Sequence, residues 1–309
     1  MASPTLAHDA MFYDSDREFA SALTPFVRDG LAGGDAVVAA VTATNAGVLR
    51  DSLGRDASAV SFIDRDEWYR RPASTVAGWQ RLLEEATSRG HRHVRLIGEV
   101  GFGAEERHPT WTRYESALNR VFADVPAWIV CPYDSRELPA TVLDDARRTH
   151  PTVFGPGRPA SAGYLSPEQL LLLVPEPLPP VVGPPMLDVP ITDEVAAARH
   201  AVRDLLAARG QAGTERGDDL MLAMSETVAN GIRHGRGRRR LRIWVDGDTV
   251  TCEVTDEGSG PADPLAGYRP PAQLVTGGRG LWIMQQLCDA AGIQHHDGTT
   301  AVRFAITLA

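Results

Sequence analysis

The first half of the chain alternates two hydrophobic rhythms. Helical apolar spacing fits Asp16 to Ala32, Pro72 to Arg89, Thr110 to Ala123 and Leu138 to Thr149. Between these segments lie short apolar runs, Ala36 to Val41, Val94 to Ile97 and Ala127 to Val130. The alternation predicts an α/β domain with a mostly parallel sheet. The second half places helices early and strands late, which predicts an α+β sandwich over residues 188–309. There the stretch Gly217 to His234, GDDLMLAMSETVANGIRH, predicts an amphipathic helix. At about 100° per residue, Met221, Met224, Val228 and Ile232 share one arc, while Glu226, Asn230 and His234 stack on the opposite one. Leu241 to Val245 and Thr249 to Asp256 predict a hairpin turning through Asp246-Gly247-Asp248. A helix is predicted over Leu281 to Ala291 and a final strand over Ala301 to Leu308.

The rhythm breaks at Pro175 to Pro190, where seven prolines fall within 16 residues. Proline fixes φ and lacks the amide donor, so this stretch cannot be a helix or a central strand. It predicts a semi-rigid, extended linker. The expected organisation is a first domain over residues 1–165, a proline-rich linker over 166–187 and a second domain over 188–309. A length of 309 residues suits two domains of ordinary size.

Composition narrows the class. Hydrophobic residues make up 43% and charged residues 23%, values of a soluble globular protein, and no apolar run reaches the roughly 18 residues a membrane span needs. The opening MASPTLAHDAMFYDSD turns acidic before any signal-like apolar core, so the expectation is a cytoplasmic protein without membrane attachment. Cys131, Cys252 and Cys288 are odd in number and far apart, offering neither a disulfide framework nor metal-ligand spacing; they are read as small core residues. The net charge of −9 argues against a nucleic-acid partner. Arg233, Arg236, Arg238, Arg239, Arg240 and Arg242 form the one basic stretch, which a solvated turn and a partner-docking patch explain about equally well. All 31 basic residues are arginine. A Walker-A loop and a eukaryotic-type protein kinase both need a phosphate-binding lysine, so both are excluded.

Four weak chemical signals lie in the second half. Glu226 and Asn230 put a carboxylate and a carboxamide on one helix face a turn apart. An amide oxygen suits magnesium and a glutamate can act as a base, although a solvated polar face has the same pattern. In the second hairpin strand Val250, Cys252, Val254 and Asp256 share parity, so Asp256 ends on the apolar side, where a carboxylate needs hydrogen bonds. Gly258 and Gly260 follow and would let the backbone pass close to a planar ligand; the exocyclic amine of adenine would satisfy Asp256, and a capped tight turn is the alternative. Gly277-Gly278-Arg279-Gly280 opens a helix whose free amides could face phosphates. Gly298-Thr299-Thr300 supplies hydroxyls before the final strand.

Taken in order, these segments resemble the GHKL ATPase superfamily over the whole second domain. The N box corresponds to Glu226, Asn230 and His234, the first glycine box to Asp256, Gly258 and Gly260, the second to Gly278 and Gly280, and the last motif to Gly298, Thr299 and Thr300. SETVANGIRHG and GGRGLWIMQQLCD further resemble the anti-sigma-factor serine kinases. The resemblance implies a Bergerat-type fold that binds ATP and Mg. It makes Glu226 the general base, Asn230 the magnesium ligand and Asp256 the adenine reader, with Arg279, Thr299, Thr300 and His234 near the nucleotide. No dimerising helix pair with a phospho-accepting histidine precedes this domain, which argues against histidine autokinase activity. No transducer domain is present either, which makes a clamp ATPase a distant third reading.

The first half has a resemblance of its own, over about residues 8–165. HDAMFY, FVRDGLAGGDAVV, EWYRRP, GEVGFG, WTRYESALN and CPYDSRELP are similar to the MEDS sensory domain. That family implies a RecA-like sheet that has lost its P-loop. In open α/β sheets ligands sit beyond the carboxyl ends of strands, so Glu99, Tyr133 and Asp134 are sensing-site candidates; loop-pinning caps are the plainer reading. The combined expectation is an ATP-dependent serine/threonine kinase switched by a sensory domain. By resemblance its partners are a sigma factor and a STAS-type anti-anti-sigma protein, and its assembly a homodimer. The rival is a non-catalytic module whose partner affinity is tuned by nucleotide.

Overall fold

The structure is a computed structural model and describes residues 6–268 and 279–308. The chain divides into two compact units, residues 1–174 and 175–309.

The first unit runs β1 (Ala7–Tyr13), α1 (Asp16–Gly33), β2 (Ala36–Val41), α2 (Ala43–Leu53), β3 (Ser61–Asp64), α3 (Arg65–Trp68), α4 (Pro72–Ser88), β4 (Val94–Gly98), α5 (His108–Val121), β5 (Ala127–Asp134), α6 (Ala140–Thr149), β6 (Thr152–Val153) and α7 (Pro167–Leu173). Its six strands form a parallel sheet in the order β3-β2-β4-β5-β1-β6. Parallel strands require helical crossovers on both faces, hence two cores. One holds Trp79, Trp111, Tyr114 and Leu118 from α4 and α5. The other holds Phe19, Leu23 and Val27 of α1 with Leu49 of α2. Ser15 caps α1 by accepting from the Glu18 amide, and the helix stops at Gly34 with φ 79°, a left-handed residue that suits glycine.

Several elements escape hydrophobic periodicity. β1 carries His8 and Asp9 in its interior, both buried, so it does not read as an apolar run. Asp9 is held by the Arg158 guanidinium at 2.6 and 2.7 Å, by Trp128 Nε1 at 2.8 Å and by Thr152 Oγ1. Burial pushes this carboxyl up, but those hydrogen bonds outweigh it and hold the pKa below its usual value. Residues 166–174 were expected to start the linker. Instead Ser166 and Gln169 form a capping box, α7 buries Leu170 and Leu171, and the Arg113 guanidinium donates to the carbonyls of Leu171 and Val174 at 2.8 and 2.6 Å. The first unit therefore extends to Val174.

The second unit comprises β7 (Leu187–Pro190), α8 (Ala196–Ala208), α9 (Glu215–His234), β8 (Arg240–Asp246), β9 (Thr249–Asp256), α10 (Arg279–Leu287), β10 (Ala290–His296) and β11 (Thr299–Thr307). The sheet is antiparallel, ordered β10-β11-β9-β8-β7. Its inner face packs Leu241, Ile243, Cys252, Val254 and Phe304 against Val202, Leu220, Met224 and Val228 of α8 and α9. β7 lies at an edge and ends on Pro190, the position in a sheet that proline tolerates.

Two expectations need correction here. The helix read over 281–291 stops at Leu287, and Ala290–His296 is an edge strand. Small residues such as Ala290, Ala291 and Gly292 fit either element, and tertiary pairing decides. The Asp289 carboxylate accepts from Arg216 and from the Thr307 amide, ending the helix and aligning β10 on β11. The second correction concerns residues 175–186, which are not a semi-rigid spacer standing between the domains but a strap bound across the outer face of the sheet. The Ile293 amide donates to Glu176 Oε2 at 3.3 Å and Gln294 Nε2 to the Glu176 carbonyl at 2.8 Å. Further along, the Arg303 guanidinium donates to the Pro179 carbonyl, Trp244 Nε1 to the Gly183 carbonyl, and the Met186 amide to the Ile243 carbonyl. The strap explains why Thr251 and Glu253, on the outer side of β9, are buried. Glu253 is also clamped by Arg303 at 2.6 Å and Arg242 at 3.1 Å.

Four arginines of the basic stretch have carboxylate partners. Arg238 pairs with Glu257, Arg239 with Asp193, Arg240 with Asp188 and Arg242 with Glu253. Among the described residues no helix is long and apolar enough to cross a membrane.

Candidate functional site

A cleft of about 440 Å³ opens between α9, the end of β9 and the start of α10. Its apolar walls come from Val254, Leu281, Ile293 and Val302, and its polar groups from Asn230, Asp256 and Thr300. Asp256 continues the inward parity of Val250, Cys252 and Val254, so the chain delivers a carboxylate to an apolar wall with 8% of its surface exposed. Oδ1 accepts from the Gly258 amide at 2.6 Å, and Oδ2 accepts nothing from the described residues. Room for this carboxylate is made by Gly235: a Cβ there would lie 2.7 Å from Asp256 Cγ. Gly260, with φ 71°, turns the chain along the cleft. The Thr300 hydroxyl donates to the Gly258 carbonyl at 2.9 Å, so it accepts from His295 Nδ1 at 3.1 Å.

Glu226 and Gly280 meet at Asn230, which lines the cleft. A Cβ on Gly280 would lie 2.7 Å from Asn230 Nδ2 and 2.9 Å from Glu226 Oε2. Only glycine lets the first turn of α10 approach α9 this closely. Asn230 Nδ2 is buried and finds no hydrogen-bond partner among the described residues. A buried unpaired amide is costly, and a ligand oxygen supplied through the cleft would pair it. His234 is exposed and lies at the rim. Arg279 is exposed at the first residue of α10. Thr299 is exposed at the start of β11, opposite His296, and does not line the cleft. Gly278, together with Gly277, lies outside the described residues. Gly235, Thr227, Ile293 and His295 were not foreseen; their signal is only their place beside Asp256, Asn230 and Thr300 in the fold.

The profile of the histidine kinase-like ATPase domain matches residues 191–306, which contain the cleft and stop short of the strap. The profile of the MEDS domain, the methanogen/methylotroph DcmR sensory domain, matches residues 7–151. The chain joins a MEDS domain to a histidine kinase-like ATPase domain. The serine-protein kinase RsbW of Bacillus subtilis (strain 168) is 32% identical over 96 residues, covering 27% of this chain and 60% of that protein. RsbW of Bacillus velezensis is 30% identical over 96 residues with the same coverage. The chain thus spans 60% of the length of these curated relatives.

In the MEDS domain the three sensing candidates do not form one constellation. Glu99 is buried after β4, where Oε2 accepts from the Thr42 amide and Asn45 Nδ2, both at 2.9 Å, and Oε1 lies 3.5 Å from Arg65. Asn45 Nδ2 also donates to the Tyr13 hydroxyl at 3.0 Å. Glu99 therefore pins β4 to α2 and β1. Asp134 is bound by Arg136, whose side-chain hydrogen bonds hold its carboxyl below the usual range despite partial burial. Tyr133 points to the opposite face of the sheet, as alternation requires, and its buried hydroxyl has no partner among the described residues. A neighbouring group carries no ligand spacing in the sequence: His8, Glu115, Cys131 and His150 converge beside Tyr133.

Proposed function

We propose that the second unit is a Bergerat-type domain that binds ATP with magnesium and transfers the γ-phosphoryl group to a serine or threonine of a partner protein. The observation that supports this reading best is an apolar cleft that holds both Asp256 and Asn230, with Glu226 and Gly280 meeting at Asn230. Asp256 Oδ2 accepts from the adenine amine, while Val254, Leu281, Ile293 and Val302 sandwich the ring. The amide of Asn230 serves magnesium, and the α10 N-terminus, with Arg279 beside it, faces the phosphates. Magnesium, when bound, neutralises charge on the phosphate oxygens. Glu226 takes the hydroxyl proton as that oxygen attacks the γ-phosphorus, and ADP leaves. Thr300 and His295 fix the Gly258 carbonyl and with it the adenine-side turn; His234 closes the rim.

Gly280→Ala tests the geometry without removing a polar group. The methyl displaces the Asn230 and Glu226 tips, so phosphotransfer is expected to fall about 10-fold, since misplacement on the ångström scale costs catalysis heavily. Wild-type transfer rates would remove the close approach from the account.

For partners, the resemblance to anti-sigma-factor kinases and the likeness to RsbW support a STAS-type anti-anti-sigma protein as phosphate acceptor and a sigma factor as sequestered partner, with the kinase as a homodimer in the cytoplasm. The first unit, read as RecA-like without a P-loop, supplies the signal. Incubation with radiolabelled ATP and candidate STAS proteins is expected to label one serine or threonine. ATP-dependent partner binding without label would instead favour the non-catalytic module.

A further inference from the structure

Four side chains from four elements of the MEDS domain point at one buried spot: His8 of β1, Glu115 of α5, Cys131 of β5 and His150 just after α6. Their nitrogen, oxygen and sulfur atoms all lie within 4.8 Å of one another, and all four residues are buried. Glu115 Oε2 lies 3.2 Å from His8 Nε2 and 3.3 Å from His150 Nε2. Cys131 Sγ lies 3.4 Å from His8 Nε2 and 3.5 Å from Glu115 Oε2. Zinc bonds of about 2.0–2.1 Å to nitrogen or oxygen and about 2.3 Å to sulfur give tetrahedral edges of about 3.3 Å and 3.5 Å. The four separations match those edges.

The hydrogen bonds behind the ligands orient them. Asn119 Nδ2 donates to the carbonyls of Ser116 and Thr149, so its Oδ1 is the acceptor facing His8 Nδ1 at 3.0 Å. His150 Nδ1 lies 2.9 Å from the Ala146 carbonyl. Nδ1 carries a proton in each ring, so in the neutral rings both Nε2 atoms are lone pairs on the Glu115 side. Metal-binding histidines are held the same way, with the ring N–H that faces away from the metal donating to a carbonyl. With both rings neutral, the Cys131 thiol can donate to His8 Nε2, but the His150 Nε2 lone pair faces a carboxylate, and His150 Nε2 and Glu115 Oε1 are buried without hydrogen-bond partners among the described residues. A divalent ion bound at Glu115 Oε2 gives both Nε2 lone pairs a partner. With the Cys131 proton released on binding, its two positive charges meet one thiolate and one carboxylate, so the buried site is neutral.

We propose that His8, Glu115, Cys131 and His150 form a four-coordinate site for one divalent transition-metal ion of the zinc class. The ion ties β1, β5, α5 and the end of α6 together at the centre of the sensory unit. Mixed nitrogen, sulfur and oxygen ligands favour zinc-class ions over magnesium or calcium. The site is independent of the nucleotide cleft, which belongs to the other unit.

The test uses the full-length chain, stripped with a chelator and titrated with Zn²⁺ and with Co²⁺. The expected result is one tightly held zinc per chain, and for cobalt intense visible bands with a thiolate-to-metal band in the near ultraviolet. Cobalt on oxygen ligands at the nucleotide cleft would absorb only weakly. Cys131→Ser is expected to abolish the thiolate band, and Cys131→Ser and His150→Gln to weaken zinc at least about 10-fold. If a variant loses its circular dichroism, the wild-type cobalt spectrum decides, because Cys252 and Cys288 lie in the other unit and belong to no such cluster among the described residues. A wild-type chain that binds no zinc, or cobalt without a thiolate band, would overturn the site and leave a buried hydrogen-bond network. So would a folded Cys131→Ser that binds zinc like the wild type.

Discussion

Glu226→Ala is expected to lower phosphotransfer by about 10²-fold or more while ATP affinity changes only a few-fold. Glu226 lies one turn before Asn230 on α9, half-buried, with Oε2 at the position where a side chain on Gly280 would intrude. It touches Gly280 rather than lining the cleft, so removing it leaves the apolar walls and the Asp256 carboxylate in place. The proton of the attacking hydroxyl loses its acceptor, and the effect falls on the chemical step. Single-turnover transfer from radiolabelled ATP, with affinity measured separately, distinguishes this from a binding defect. Unchanged transfer would make Glu226 a structural residue.

The strap carries the second large effect. A chain beginning at Leu187 is expected to be less stable than one beginning at Pro175 by about 3 kcal/mol or more, at roughly 1 kcal/mol for each net hydrogen bond lost. Five are at stake, with donors Ile293, Gln294, Arg303, Trp244 and the Met186 amide. The loss compounds because the Arg303 and Glu253 pair would gain water on its outer side. Gly292 marks the tightest point, where a Cβ would lie 2.4 Å from the Pro177 carbonyl oxygen. Urea midpoints of the two chains measure the difference; equal midpoints would show the strap to be a passive covering.

The two departures from the sequence reading have different physical origins. Prolines in 175–190 exclude helix and central strand, from which a semi-rigid, extended spacer follows. Exclusion from regular structure does not exclude docking: the strap uses carbonyl oxygens, which proline retains, as acceptors for Gln294, Arg303 and Trp244. β10 was missed because its first residues are small and its pairing partner, β11, lies beyond a turn. The helix face of Glu226 and Asn230 and the inward end of Asp256 were legible because period and parity act locally. That Gly280 touches both N-box residues was not, because the contact spans some 50 residues and depends on how α10 enters.

The buried quartet was illegible for a related reason. Ligand spacing in a sequence detects sites built from one loop or helix, whereas His8 and His150 are brought together by strands and helices far apart in the chain. Three of the four residues, His8, Glu115 and Cys131, stood in segments that resemble the MEDS family. Parallel pairing of β1 with β5 places Ala10 beside Cys131 and His8 beside Ile129, and in that register the imidazole Nε2 lies 3.4 Å from the thiol.

The central claim is that the cleft ending on Asp256 is a nucleotide site. Calorimetry of ATP with magnesium against the wild-type chain and Asp256→Asn tests it most directly. The wild type is expected to bind, and the variant to lose about 1–3 kcal/mol, because an amide donor then faces the adenine amine where Oδ2 had accepted. The variant retains Oδ1 for the Gly258 amide, so the turn itself is kept. Equal ATP binding by both proteins, or none by the wild type, would contradict the account.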